Sequence, residues 1–293
     1  YTTTPASMIY LIFSILCSVT VGVLFKLANR YDINVQQAIA WNYLTAILLA
    51  VMLFKPDINT SLLPSSAAYY VLGILLPTIF WILSRSVRAI GIAKTDIAQR
   101  LSLILPLLAA FFVFKEQFSV LKIFGIALAF ISVLLMLVNR GNTARKASII
   151  FPALVFLGFG TVDILFKQLA MEVQVPYTTV LLSVFCVAFP IAMLAAIFQG
   201  QKNRRAIQLI NLMYGTMLGI FNFSNIYFYL KAHKAFASQP SIVFASMNIG
   251  VVVLGTLAGY YFFREKLSKL NFIGVALALI AISIITIAQY YGT

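Results

Sequence analysis

Residues 113–132 read VFKEQFSVLKIFGIALAFIS, and residues 262–281 read FFREKLSKLNFIGVALALIA. Aligned end to end they share Phe114/Phe263, Glu116/Glu265, Ser119/Ser268, Leu121/Leu270, Gly125/Gly274, Ala127/Ala276, Leu128/Leu277, Ala129/Ala278 and Ile131/Ile280. Each copy is a charged turn followed by an apolar stretch studded with small residues. A second match lies far upstream of each, VGVLFKLA at 21–28 against VDILFKQL at 162–169. The doubled unit therefore spans most of the chain, at 1–140 and 148–293.

The composition says what kind of unit this is. Of 293 residues, 62% are hydrophobic and 10% charged, with a mean hydropathy of +1.00. A soluble domain carries about 25% charged residues. Apolar runs long enough to cross a bilayer recur throughout, at 8–28, 35–54, 67–87, 95–114, 118–139, 148–170, 175–198, 207–230, 239–262 and 269–290. The expected fold is an all-α polytopic membrane protein. Nothing at the start reads as a cleavable signal peptide, and 8–28 is expected to be the first span. Ten spans in two copies give five per copy. An odd number forces the second copy to enter the membrane from the opposite side, and inverted repeats of this kind are a transporter signature.

Several function classes are disfavoured by the same residues. The net charge of +14 is scattered through short inter-helix loops, as expected for orientation signals rather than for a nucleic-acid surface. A single histidine, His233, argues against a multi-histidine metal site, and no cofactor is expected. Cys17 and Cys186 fall inside apolar runs and are expected to be free. No ATP-binding loop is present, so transport would draw on a proton or solute gradient. A membrane-embedded enzyme would need paired catalytic groups, and none stands out. A channel or a non-transporting scaffold is the other alternative.

The paired hairpin with its Glu-x-x-Ser, the Gly-x-Ala-Leu run behind it, the ten spans and the lysine closing the first span of each half resemble the drug/metabolite transporter superfamily, EamA-like branch. The resemblance covers essentially the whole chain. It implies a solute carrier of the plasma or inner membrane, working by alternating access as a monomer among lipids, with a small-molecule substrate. Import and export both fit. The family usually has glycine before the hairpin glutamate; here Lys115 and Arg264 stand there.

Candidate site residues follow from polarity inside apolar runs. Asp163 is the one carboxylate well inside a span, where charge is costly and points to function. Lys167 lies one turn on, so the two either neutralise each other or leave Asp163 to bind an amine or take up a proton. Gly22 occupies the matching position in the first half. Lys26 and Lys167 either reach for the membrane surface or rim a central cavity. Arg100 is either an interface anchor or an anion binder. Trp81, Asn42, Asn222, Asn225, Tyr229 and Asn248 are expected to line a wet cavity, although hydrogen bonds between helices would also account for each amide. This polar and aromatic set favours an amino acid or an organic anion. Glu116 and Glu265 are read as helix-capping groups with Ser119 and Ser268. His233 is expected at the membrane interface, and Gly125, Gly250, Gly255 and Gly259 at close-packing positions. Basic residues place loop 140–147 in the cytoplasm, counting Lys122 with the opposite face; the resemblance implies cytoplasmic termini instead.

Overall fold

The computed structural model describes residues 5–30, 33–55, 67–90, 92–137, 150–171, 176–203, 208–263 and 269–291. Among them are eleven helices and no strand: α1 Pro5–Arg30, α2 Val35–Phe54, α3 Ala67–Ile90, α4 Ile92–Leu101, α5 Ile104–Phe112, α6 Val120–Leu137, α7 Ile150–Ala170, α8 Tyr177–Asn203, α9 Leu209–Ala235, α10 Pro240–Phe263 and α11 Lys269–Tyr291. Among the described residues, five apolar stretches are long enough to cross a bilayer: Met8–Phe25, Val35–Phe54, Ile150–Ala170, Thr178–Gly200 and Pro240–Phe262. Shorter apolar stretches occupy α3, the α4–α5 region, α6 and α11. In α9, Asn211, Asn222, Ser224, Asn225 and three tyrosines dilute the hydropathy. Large apolar side chains such as Phe198, Met213, Phe272 and Ile273 are exposed, which suits contact with lipid tails.

The stretch 95–114, expected as one span, is two helices. Pro106 has no N–H to offer the carbonyl of Ser102, so the regular ladder fails there. The Ser102 carbonyl instead accepts from Leu105 N at 3.0 Å, a tighter turn, and the Ser102 hydroxyl donates to the Gln99 carbonyl at 2.6 Å.

The repeated hairpin has a defined backbone. After α5, Lys115 adopts the left-handed conformation (φ 55°), while Phe114 and Glu116 donate back to the carbonyls of Ala109 and Ala110 at 2.9 and 3.0 Å. A glycine takes that conformation without a Cβ clash. Ser119 caps its own helix, its hydroxyl accepting from Lys122 N at 3.3 Å. Glu116 caps a different one, α10. Lys122, expected on a surface loop, is buried inside α6 and paired with Glu116 at 2.7 Å.

Two compact units divide the described chain: Tyr1–Leu11 with Ile79–Ile164 and Ala235–Thr293, and Ile12–Thr78 with Leu165–Lys234. Each draws helices from both sequence repeats. In the first unit, α6 and α11 pack extensively on one another. The buried stripe of α6 is Lys122, Gly125, Ala129 and Ser132; that of α11 is Gly274, Ala278, Ala281, Ile285 and Ala288. Gly125/Gly274 and Ala129/Ala278 are thus identical positions of the repeat on the buried faces of the two copies. A Cβ on Gly125 would stand 2.7 Å from Ile285 Cγ1. Gly125 lies in the first turns of α6 and Ile285 in the last turns of α11, so the two helices run antiparallel. In the second unit α2 packs extensively on α8, again counterparts in the two repeats. Gly255, expected at a close contact, has open space where a Cβ would sit.

Candidate functional site

In the second unit the polar side chains of α9 meet α2 and α1 at successive levels. At the first, Asn211 donates to Gln37 Oε1 at 2.8 Å and accepts from Asn34 N at 3.0 Å. At the second, Asn222 donates to Asn42 Oδ1 at 3.1 Å, both residues being buried. At the third, the Ser14 hydroxyl donates to Asn225 Oδ1 at 2.8 Å. Amides in a bilayer need such partners. Close approach comes from Gly215 and Gly219, spaced four apart. A Cβ on Gly215 would lie 2.6 Å from the Ala38 carbonyl oxygen, and one on Gly219 2.7 Å from that of Asn42. Small residues at this spacing let helix backbones touch. The Gly-x-x-x-Gly spacing of Gly215 and Gly219 is a signal in the sequence itself, whereas Ser14, Gln37 and Asn211 are revealed only by their partners.

A second cluster gathers around the end of α9. Lys167, 1% exposed, places its Nζ 3.5 Å from the carbonyl of His233, which is itself fully buried. A cation near the last carbonyls of a helix is favoured by the helix dipole. His233 is therefore buried within the protein. Its ring stands at 4.5 Å from that of Tyr229, which in turn meets Phe166 edge-on at 5.9 Å. An aromatic group runs alongside: Phe54 stacks on Tyr227 at 5.1 Å, and Lys231 Nζ lies 4.7 Å from the Tyr227 ring, within cation–π range.

In the first unit Trp81 is exposed, with the Arg85 guanidinium 3.9 Å over its ring. Ser86 and Thr95 share a buried hydrogen bond of 2.8 Å. Arg100 is half-buried at the end of α4, beside the break at Ser102. Asn248 donates to the Phe244 carbonyl within α10 at 3.1 Å. Asp163 is half-buried on α7, one turn before Lys167. The Lys26 side chain lies outside the described residues, as do Glu265, Arg264 and the loop 140–147. Cys17 and Cys186 are free thiols. Among the described residues no group of histidine, cysteine and carboxylate side chains is placed to hold a metal.

Chemically, the arrangement offers a buried cation, amides already engaged in pairs, and aromatic faces beside a lysine.

The model of the EamA-like transporter family matches this chain twice, over residues 5–138 and 146–287. A Haemophilus influenzae protein described as uncharacterized is 42% identical over 282 residues, covering 93% of this chain and 95% of that one. A solved crystal structure matches with a TM-score of 0.75 at 15% identity, over 96% of this chain and 97% of the other; that likeness concerns the fold.

Proposed function

The chain belongs to the EamA-like transporter family, and from that premise we propose that it is a secondary carrier for a small polar or amphipathic metabolite, an amino acid or an organic anion, in the plasma or inner membrane. The observation that carries this reading is the double family match combined with the antiparallel packing of α6 on α11. Counterpart helices running in opposite directions are what two inverted repeats produce. Two inverted halves have two related arrangements, and exchanging them opens a central site to either side. The ten-span inverted topology and alternating access are read from this relationship.

Asp163, Lys167, Lys26, Arg100, Trp81, Asn42, Asn222, Asn225, Tyr229 and Asn248 are proposed to contribute to substrate handling. In this reading Lys167 and Arg100 favour anionic groups, and Asp163 provides an amine or proton site. Coupling to protons is part of the proposal, as is action as a monomer.

The test is a thermal-shift panel of amino acids and organic acids on purified protein at several pH values, with Asp163→Asn alongside. The reading expects at least one such solute to raise the melting temperature, and the variant to fold but lose or alter the pH dependence of that shift. A panel without any stabilising solute contradicts the substrate class. Identical pH profiles remove Asp163 from the site.

A further inference from the structure

The Glu116 carboxylate reaches out of the α5–α6 hairpin to the first turn of α10, far away in sequence. Its Oε2 accepts from Ser241 N at 2.9 Å, and its Oε1 accepts from the Ser241 hydroxyl at 2.5 Å and from Lys122 Nζ at 2.7 Å. Lys122 Nζ lies 3.5 Å from Gln239 Oε1, on the residue just before the helix. Glu116 is 4% exposed, Lys122 3% and Ser241 0%. The first N–H groups of any helix lack partners within it, and they carry the positive end of the helix dipole. Pro240 opens α10 with no N–H of its own, which leaves Ser241 as its first donor. No side chain next to the start of α10 supplies a carboxylate. Gln239 is the residue in the capping position, and its amide oxygen faces Lys122 instead.

We propose that Glu116 is a positioning residue for α10: a cap supplied from another helix hairpin, with Lys122 as its buried countercharge, which fixes where α10 starts and holds it to the α5–α6 turn as one piece. Burial makes the arrangement all-or-none, because a buried carboxylate without its partners is costly. It also gives one copy of the repeated turn, Phe114-Lys115-Glu116, a task at a distance, that of holding the start of the helix whose residues Ser241–Phe244 are fully buried. This role is independent of what the protein transports.

The experiment is maleimide labelling of single cysteines in the full chain, reconstituted in lipid, with Cys17 and Cys186 replaced by serine. Ile242→Cys reports the start of α10, and Val252→Cys reports its middle. Both positions are buried in the parent. Glu116→Ala is expected to speed labelling at 242 by about tenfold, the scale of a lost cap, while leaving 252 protected. Glu116→Gln, which keeps the shape, is expected to fall between. The charge-swapped pair Glu116→Lys with Lys122→Glu keeps an ion pair but turns a cation toward the helix start, so it is expected to label as fast as Glu116→Ala. Unchanged labelling at 242 in Glu116→Ala would overturn the proposal. So would restored protection in the swapped pair, since the ion pair alone would then suffice. Equal exposure of 242 and 252 would show a general loss of structure and overturn it as well.

Discussion

Gly125 of α6 and Ile285 of α11 lie so close that a Cβ on the glycine would meet Ile285 Cγ1 at 2.7 Å and the Ile284 Cγ2 at 3.0 Å. The two helices are copies of one sequence, and Gly125 and Ala129 on the buried face of α6 recur as Gly274 and Ala278 on the buried face of α11. Without a hydrophobic drive between helices in lipid, such packing rests on close van der Waals contact. Gly125→Leu is expected to destabilise the protein by about 1–3 kcal/mol through overpacking. Gly255→Ala, where the space is open, is expected to stay within about 0.5 kcal/mol of the parent. Thermal unfolding of both variants in the same detergent checks the contrast.

Lys115 holds a left-handed backbone that a side chain makes unfavourable. Lys115→Gly is expected to stabilise the protein by about 0.5–1 kcal/mol, the relief of strain being partly offset by glycine's larger freedom when unfolded. Lys115→Ala keeps the Cβ and is expected to show no such gain. Melting curves of the two variants decide between strain at this position and a role for the lysine charge, since the charge is lost in both.

Asn42 and Asn222 form a buried amide pair at 3.1 Å. A double-mutant cycle of Asn42→Ala and Asn222→Ala is expected to give a coupling of about 0.6 kcal/mol, the usual size for such a bond within a membrane. Additive effects of the two substitutions would mean that the pair does not form in lipid.

Much of this architecture is legible in the amino-acid sequence. The class follows from composition, and the contact between repeats is foreshadowed by Gly125/Gly274 and Ala129/Ala278, because small residues on one helix face have little use in lipid other than close packing. What stayed hidden is long-range. The hairpin glutamate announces a cap, yet its partner Ser241 is 125 residues away, and nothing local distinguishes that helix start from the one beside it. Lys122 reads as a loop cation because lysines near span ends usually are. His233 reads as an interface residue for the same reason, flanked as it is by Lys231 and Lys234; only packing reveals its full burial. Pro106 within an apolar run is compatible with either a kink or a break, and the break is decided by the Ser102 turn. Of the candidate site residues, Asn42 and Asn222 stand apart in the sequence and are each other's partner in the fold. Ser14 gave no signal, since a lone serine in an apolar helix has many uses.

The central claim is that the chain is a carrier, and flux through the purified protein in liposomes tests it most directly. A radiolabelled solute that raises the melting temperature in the metabolite panel is supplied outside, with the same solute unlabelled inside or absent. The account predicts saturable uptake that is faster when the unlabelled solute waits on the far side, because a carrier returns sooner when loaded. Flux that rises linearly with concentration and ignores the far-side solute would contradict it and point to a channel.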